Sequence, residues 1–327
     1  LPPMSLTSSP TLRVALAQLN PGAHWEANLA KLHEYVAPEV KRQAKGDCDL
    51  LVLPETCLTR GGGRDAREQS RAFTEHILPS LSDLAKSLNT PVIAPILRPL
   101  PANRAPTVLP TFTKDSPYIH KAEPKELLLN TQLVIHSDGS LCAAYDKIHM
   151  FELISTGPGG HSVRERDTYE PGDHLTAVKL KGWNIGLTTC YDVRFPELYR
   201  LYQAQDDIDA FTVCANFTRF TGRDHWHTLL KARAIENQAY VLAPNLAGDN
   251  ARSGLGSYGH TLAVDPWGSV VSDLGTMPEG VGMVTLKREE MDKARQKLQS
   301  VRDITLIDKA KPPGSGAPYP LFTADLH

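Results

Sequence analysis

Three nearly unbroken apolar runs constrain this chain more than any other feature: "TLRVALAQL" (11–19), "CDLLVLPET" (48–56) and "TPVIAPIL" (90–97). They lack the polar alternation of a strand with one wet face, so each reads as a strand buried on both sides. Helical periodicity separates them. Leu29, Leu32, Val36 and Val40 share one helix face, and Phe73, Ile77, Leu81 and Leu84 share another. Pro38 leaves the end of the first helix open, and Pro54 stops the second strand just before Glu55. Strand–helix alternation of this kind specifies an α/β sheet rather than a helical bundle.

The rhythm breaks over residues 99–125, where "PLPANRAPTVLPTFTKDSPYIHKAEP" is proline-rich and irregular. That stretch reads as a long surface insertion, too short to be a domain. Two strands then flank "HSDGS", a hairpin turning at Asp138-Gly139, and the second runs into "YDKIHMF". Residues 152–174, with "STGPGGHS", read as another long loop. "WNIGLTT" is a strand that delivers Cys190, and "DAFTVCAN" and "AYVLAPN" are strands on either side of the helix "HWHTLLKARAIENQ". "GHTLAVDPWGSVVSDL" reads as a hairpin around Pro266-Trp267-Gly268, "GVGMVTL" as the last strand and "REEMDKARQKL" as a polar final helix. Residues 1–10 read as a flexible leader, with "LPP" before Met4 resembling a cloning remnant. Residues 11–308 read as one domain, and the Pro- and Gly-rich tail, 309–327, is expected to drape over a neighbour or stay loose.

Composition narrows the function. With 35 basic against 37 acidic side chains, the formal net charge is −2, which gives no footprint for nucleic acid or an anionic membrane surface. No apolar run approaches the roughly 20 residues a membrane helix needs. Five cysteines (Cys48, Cys57, Cys142, Cys190 and Cys214) form no CxxC pair and are odd in number. A disulfide framework or zinc site is not expected, and a reducing, cytoplasmic setting fits. "HWH" at 225–227 has metal-like spacing but opens a helix with no third ligand in view, so no metal is expected. "STGPGGHS" lacks the Lys-Ser/Thr of a phosphate loop, and no G-x-S-x-G elbow occurs.

Chemistry in α/β sheets sits beyond the strand ends. Three reactive residues stand there: Glu55, Lys147 and Cys190. Taken singly, Glu55 reads equally well as a loop acid, Lys147 as a solvated hairpin residue and Cys190 as a small buried hydrophobe. Taken together and in order, "LVLPET", "AYDKIHMFE" and "GLTTCYDVRFPELYR" resemble the three motifs of the nitrilase superfamily of carbon–nitrogen hydrolases. "HWHTLLKARAIENQAYV" and "SYGHTLAVDPWG" resemble its later helix and hairpin. The resemblance runs from about residue 12 to about residue 286.

That resemblance implies an α/β nitrilase-type αββα four-layer sandwich and a Glu-Lys-Cys triad, carried onto Glu55, Lys147 and Cys190. In such a triad the thiolate attacks an amide. Lys147 lowers the thiol pKa and stabilises the oxyanion, with the Tyr191 backbone N–H as second donor. Glu55 moves the protons, and no metal or organic cofactor is needed. Family members often carry a second glutamate near the strand before the lysine, for which Glu123 and Glu126 are the candidates. Asp192 and Glu197 are expected to anchor the turn after Cys190.

"CYDVRFPEL" and "KIHMFE" lean towards the Nit-type amidases, a branch that includes deaminated glutathione amidases and ω-amidases. The implied substrate is a small primary amide bearing carboxylates, whose charge asks for cations in the pocket. Arg194 and Arg219 are the nearer candidates and Arg223 a further one, with Phe217 and Thr218 also expected to touch substrate. A homodimer or higher homo-oligomer is implied, pairing through "PELYRLYQ" and "HWHTLLKARAIENQ". A non-enzymatic scaffold that kept the fold is the rival class.

Overall fold

The computed structural model describes residues 11–60, 63–101, 127–153, 163–249, 256–298, 300 and 320–326. In its first half, strands β1 (Thr11–Gln18), β2 (Leu50–Val52) and β3 (Val92–Pro99) alternate with helices α1 (Trp25–Lys31), α2 (Ala37–Ala44), α3 (Gly63–Arg71) and α4 (Leu78–Leu88). The hairpin β4 (Leu128–Ile135) and β5 (Leu141–Asp146) follows, then the short pair β6 (Glu152–Leu153) and β7 (Val163–Arg164). The second half contains β8 (Leu175–Leu180), β9 (Trp183–Thr189), α5 (Pro196–Gln205), β10 (Ala210–Cys214), α6 (Arg219–Asn237) and β11 (Tyr240–Ala243). Beyond these lie β12 (Ala247–Asp249) paired with β13 (Gly256–Tyr258), and the hairpin β14 (Leu262–Val264) and β15 (Val270–Asp273). β16 (Gly280–Lys287), α7 (Arg288–Lys297) and β17 (Leu321–Asp325) complete the order.

These strands form two large sheets, ordered β16-β1-β2-β3-β4-β5 and β15-β14-β11-β10-β9-β8-β17. Each has a parallel centre, β1-β2-β3 in one and β9-β10-β11 in the other. Side-chain alternation in β1 explains the layering. Leu12, Val14 and Leu16 point into a core shared with Leu50, Val52, Ile185 and Leu187, between the sheets. Ala15, Ala17 and Leu19 point the other way, onto Leu29, Leu32, Val36 and Val40 of the first helical segment and Leu81 and Leu84 of α4. On the far side of the second sheet, Tyr199 and Tyr202 of α5 and Trp226 and Leu230 of α6 pack against its strands. The layers therefore run helix–sheet–sheet–helix, and the unbroken apolar runs are strands covered on both faces.

A point the sequence left open and a departure from its reading both have local causes. Pro38 does not end the first helix. A π-helical turn, Leu32–Val36, widens the ladder just ahead of it, and Pro38 then sits in the first turn of α2, where its missing N–H costs little. The same device recurs with the π turn Phe73–Ile77 and Pro79 at the start of α4. The departure is the tail: Leu321–Asp325 pair in parallel with β8, in register from Leu321↔Leu175 to Asp325↔Lys179. The segment adds a strand to its own sheet, a role that its composition hid. The leader, residues 102–125 of the insertion and residues 309–319 and 327 of the tail lie outside the described residues.

Candidate active site

Glu55 stands in the turn after β2, Lys147 directly after β5 and Cys190 directly after β9. The turn at Cys190 is built by its neighbours. Thr189 and Asp192 form a reciprocal capping box, with the Asp192 carboxylate 2.9 Å from the Thr189 N–H. Cys190 itself takes a left-handed φ of 47°, a conformation that costs a non-glycine residue energy.

Asp192 also ties this turn to the segment carrying Lys147. It accepts from the Tyr145 hydroxyl at 2.7 Å, the His149 N–H at 2.9 Å and the His149 ring Nδ1 at 2.8 Å. Tyr145 and His149 flank Lys147, so one buried carboxylate fixes the lysine's segment against the cysteine's turn. Glu197, by contrast, is exposed in the first turn of α5.

Lys147 is fully buried between two carboxylates. Its Nζ lies 2.8 Å from Glu55 Oε1 and 2.8 Å from Glu165 Oε2. Glu55 is held from two further directions, by Asn130 Nδ2 at 2.8 Å and by the Asn216 backbone N–H at 2.9 Å. Glu165 accepts from the Phe151 N–H at 2.7 Å. The β6–β7 pair brings it there, since Glu152 faces Arg164 across that ladder.

Charge follows from this geometry. Burial alone would pull the Lys147 ammonium down, but Glu165 and Glu55 together hold its pKa well above the ordinary lysine value. Burial raises the Glu165 carboxyl, with Lys147 opposing and Glu55 reinforcing. Lys147 does pull the Cys190 thiol down, as expected, but it is outweighed. Burial and the Glu55 and Glu165 charges outweigh the lysine and push the thiol well above its usual range. The lysine's charge is already engaged by two carboxylates, so the resting side chain is a neutral thiol.

Cys190 opens on a small recess of about 30 Å³, lined with Tyr191, Arg194, Phe217 and Thr218. A neighbouring cavity of about 270 Å³ shares Phe151, Glu165, Asn216 and Thr218 with that recess and reaches Glu55, Arg60 and Tyr169. Tyr191 is in the first turn of a one-turn 3₁₀ helix, where N–H groups have no partner inside the helix. Arg194 lies over the rings of Phe217 and Tyr191, 5.1 and 5.7 Å from their centroids, and meets the His225 ring at 3.2 Å. Among the described residues no carboxylate pairs with it. Arg219 is separate: it pairs with Asp249 at 2.8 Å. Arg223 pairs with Asp224 at 3.3 Å. A larger groove, about 610 Å³, lies elsewhere, between β5 and β17, and includes none of Glu55, Lys147 and Cys190.

Glu123 and Glu126 lie outside the described residues. Among the described residues the second glutamate that meets Lys147, beside Glu55, is Glu165, which sequence reasoning left among the acids of "VRERDTYEPGD" in a supposed loop. Asn130 was also missed, though a signal existed: "NTQ" interrupts the apolar strand β4, and all three residues are buried. A polar triplet buried in a strand must have partners. Asn130 bonds Glu55, Thr131 bonds Asp146, and Gln132 bonds Thr188 and Thr189 beside Cys190.

Known proteins resemble this chain in sequence and in fold. Residues 13–296 match the carbon-nitrogen hydrolase family. A Yersinia enterocolitica protein named deaminated glutathione amidase is 32% identical over 84% of this chain and 86% of its own. A Dictyostelium discoideum protein of that name is 35% identical over 88% and 91%. Saccharomyces cerevisiae "Omega-amidase NIT3" is 34% identical over 82% and 84%. The crystal structure of Saccharomyces cerevisiae Nit3, a member of branch 10 of the nitrilase superfamily, superposes with a TM-score of 0.70 at 27% identity, covering 89% of this chain and 95% of that one. With a helix–sheet–sheet–helix sandwich that matches a nitrilase-superfamily structure, and a family match spanning most of its length, this chain belongs to the carbon–nitrogen hydrolase family and is an amidase by class.

Proposed function

We propose that the protein hydrolyses the primary amide of a small α-keto acid carrying carboxylates, most closely deaminated glutathione, and releases ammonia through a thioester on Cys190. The reading rests on one observation above the others: a buried lysine pinned between Glu55 and Glu165 and in electrostatic contact with a cysteine whose recess Glu165 also lines.

The chemistry starts from the neutral thiol. When the amide carbonyl seats against Cys190, Glu55 takes the thiol proton and sulfur attacks the carbonyl carbon. Lys147 and the Tyr191 N–H stabilise the negative oxygen of the tetrahedral intermediate. Glu55 returns the proton to the departing nitrogen, the C–N bond breaks and ammonia leaves. A water then gives its proton to Glu55 and attacks the thioester, releasing the carboxylic acid and restoring the thiol. Glu165 serves this cycle by holding Lys147 charged and in place.

Substrate class follows from the relatives' names and from the recess. The reacting amide must reach Cys190, so the carboxylate end lies outward, where Arg194 is the cation available to it. Arg219 is engaged by Asp249 and takes a lesser part. The yeast relative's name favours a second reading, an ω-amidase acting on α-ketoglutaramate. Ammonia release from deaminated glutathione and from α-ketoglutaramate, measured side by side, separates the two. Mass spectrometry of the protein quenched during turnover tests the chemistry, because a mass gain on Cys190 equal to the acyl group is required.

The protein is further proposed to pair with a second copy of itself and to work in the cytoplasm. Phe220 and Ile235 on α6 are 72% and 50% exposed, and Trp267, at 54%, adds to the apolar surface. Light scattering that returns a monomer at micromolar concentration removes the dimer. All five cysteines are free, as a reducing compartment requires.

A further inference from the structure

The "HWH" pair on α6 lacked a third ligand in sequence; folding brings two other ligands to one of its members, His227. His260 lies on the turn before β14 and Asp273 ends β15. The ligand atoms of His227, His260 and Asp273 all lie within 4.8 Å of one another. Asp273 Oδ2 is 3.1 Å from His227 Nε2 and 3.1 Å from His260 Nδ1. We propose that His227, His260 and Asp273 form a binding site for one divalent transition-metal ion of the Zn²⁺ class, on the outer side of the second sheet and apart from the amidase site.

The donor set is that of zinc: two imidazoles and one carboxylate, with a fourth position open to water. The spacing fits as well. Four ligands about 2.0–2.1 Å from a tetrahedral ion stand roughly 3.3 Å from each other. The two Asp273–His separations of 3.1 Å are close to that edge, and both exceed the ~2.7–2.9 Å of a charge-assisted hydrogen bond. An ion could therefore enter with only small side-chain movements.

The ligands are also held in advance. The Tyr258 ring stacks on His260 at 4.4 Å and 24°, and the Trp226 indole N–H bonds the His260 carbonyl at 2.9 Å. His260 has a left-handed φ of 53°, which these contacts sustain. Asp273 Oδ1, itself 3.1 Å from His260 Nδ1, accepts from the Gly275 N–H at 2.8 Å, which fixes the carboxylate as an outer partner of a metal ligand does. Side-chain exposures of 32%, 21% and 28% leave a path for an ion from solvent. None of the three residues lines the recess or cavity at Cys190. His225, the other histidine of the pair, faces Arg194 instead. A bound ion would clamp α6 onto the β14–β15 hairpin.

Calorimetric titration of the chelator-stripped full-length chain with zinc chloride tests this, with Co²⁺ absorption reporting the ligand field. The expected result is one ion per chain bound at this site, a tetrahedral Co²⁺ spectrum that zinc abolishes, and a rise in Tm on adding zinc. His227→Ala and Asp273→Asn are each expected to weaken zinc at least about tenfold and to lose the Co²⁺ spectrum. Both variants keep all five cysteines, so zinc held by thiols would persist in them. Unchanged stoichiometry and affinity in Asp273→Asn, which preserves shape should His227→Ala fail to fold, overturns the site. It would leave His227, His260 and Asp273 as a hydrogen-bonded cluster only.

Discussion

Glu165 reaches Lys147 at 2.8 Å from a segment eighteen residues further along the chain, and so doubles the negative charge around a fully buried ammonium. One carboxylate would balance the lysine. The second raises the ammonium further, and its charge adds to burial and to Glu55 in pushing the cysteine thiol up.

Glu165→Gln tests that division of labour. Burial pulls a lysine down and the two carboxylates hold it up, so deleting one lets the Lys147 pKa fall. The alkaline limb of kcat/KM is expected to move to lower pH. A profile that falls in rate with its limb unmoved would make Glu165 a packing residue only.

Lys147→Met removes the oxyanion donor and is expected to cost about 10²–10³ in kcat. It also strands two buried carboxylates, a change that typically costs about 3–5 kcal/mol when one partner of a buried pair is deleted. A lower Tm should therefore accompany the lost rate. A variant with near-normal kcat would place the oxyanion elsewhere.

Cys190→Ala is expected to abolish ammonia release and keep the fold, whereas Cys48, Cys57, Cys142 and Cys214 tolerate Ala with activity retained. The comparison is specific because burial raises Cys57 and Cys214 as well, to about 12 for Cys57, so a high thiol pKa does not distinguish the nucleophile. Position on the recess does. Turnover by Cys190→Ala at a tenth of the parent rate would end the thioester mechanism.

Arg194→Ala is expected to raise KM about tenfold or more for a carboxylate-bearing amide and to change little for a neutral amide of similar size, in line with a charge-assisted hydrogen bond. Arg219→Ala is expected to have the smaller effect, since Asp249 already holds that guanidinium at the surface. Equal loss on charged and neutral amides would make Arg194 structural.

Stability should fall on the alkaline side. Cys57, Cys190 and Cys214 are raised in the folded protein above their unfolded value of about 8.5. Their contribution is fully present below pH ~8.5 and is lost as pH climbs towards the folded values, because only the unfolded chain releases those protons. Lys147, raised in the fold, adds in the same direction. Scanning calorimetry from pH 8 to 11 should show Tm falling steadily, and a flat Tm would contradict the assignment.

The sheets were legible because burial on both faces leaves uninterrupted apolar runs, and the strand ends were legible because Lys147 and Cys190 each follow one directly and Glu55 follows one across Leu53 and Pro54. Glu165 was not, because its placement depends on a two-residue ladder, β6–β7, too short to have periodicity. The β17 strand was hidden for a related reason. Its register comes from the edge that β8 offers, and a short segment after a Pro- and Gly-rich stretch carries no sign of the edge it will join. Arg194 and Arg219 looked equivalent in sequence. Asp249, thirty residues beyond Arg219 along the chain, separates them.

The pairing of β1 with β16 sets Thr11 opposite Lys287. A nascent chain therefore exposes one side of a central apolar strand throughout most of its synthesis, with no partner yet made. Contacts of such sequence separation slow folding and lengthen the time that open strand edges face other chains. For this protein, yield in the cell should depend on the supply of chaperones during translation and on temperature more steeply than the equilibrium stability of the finished sandwich suggests.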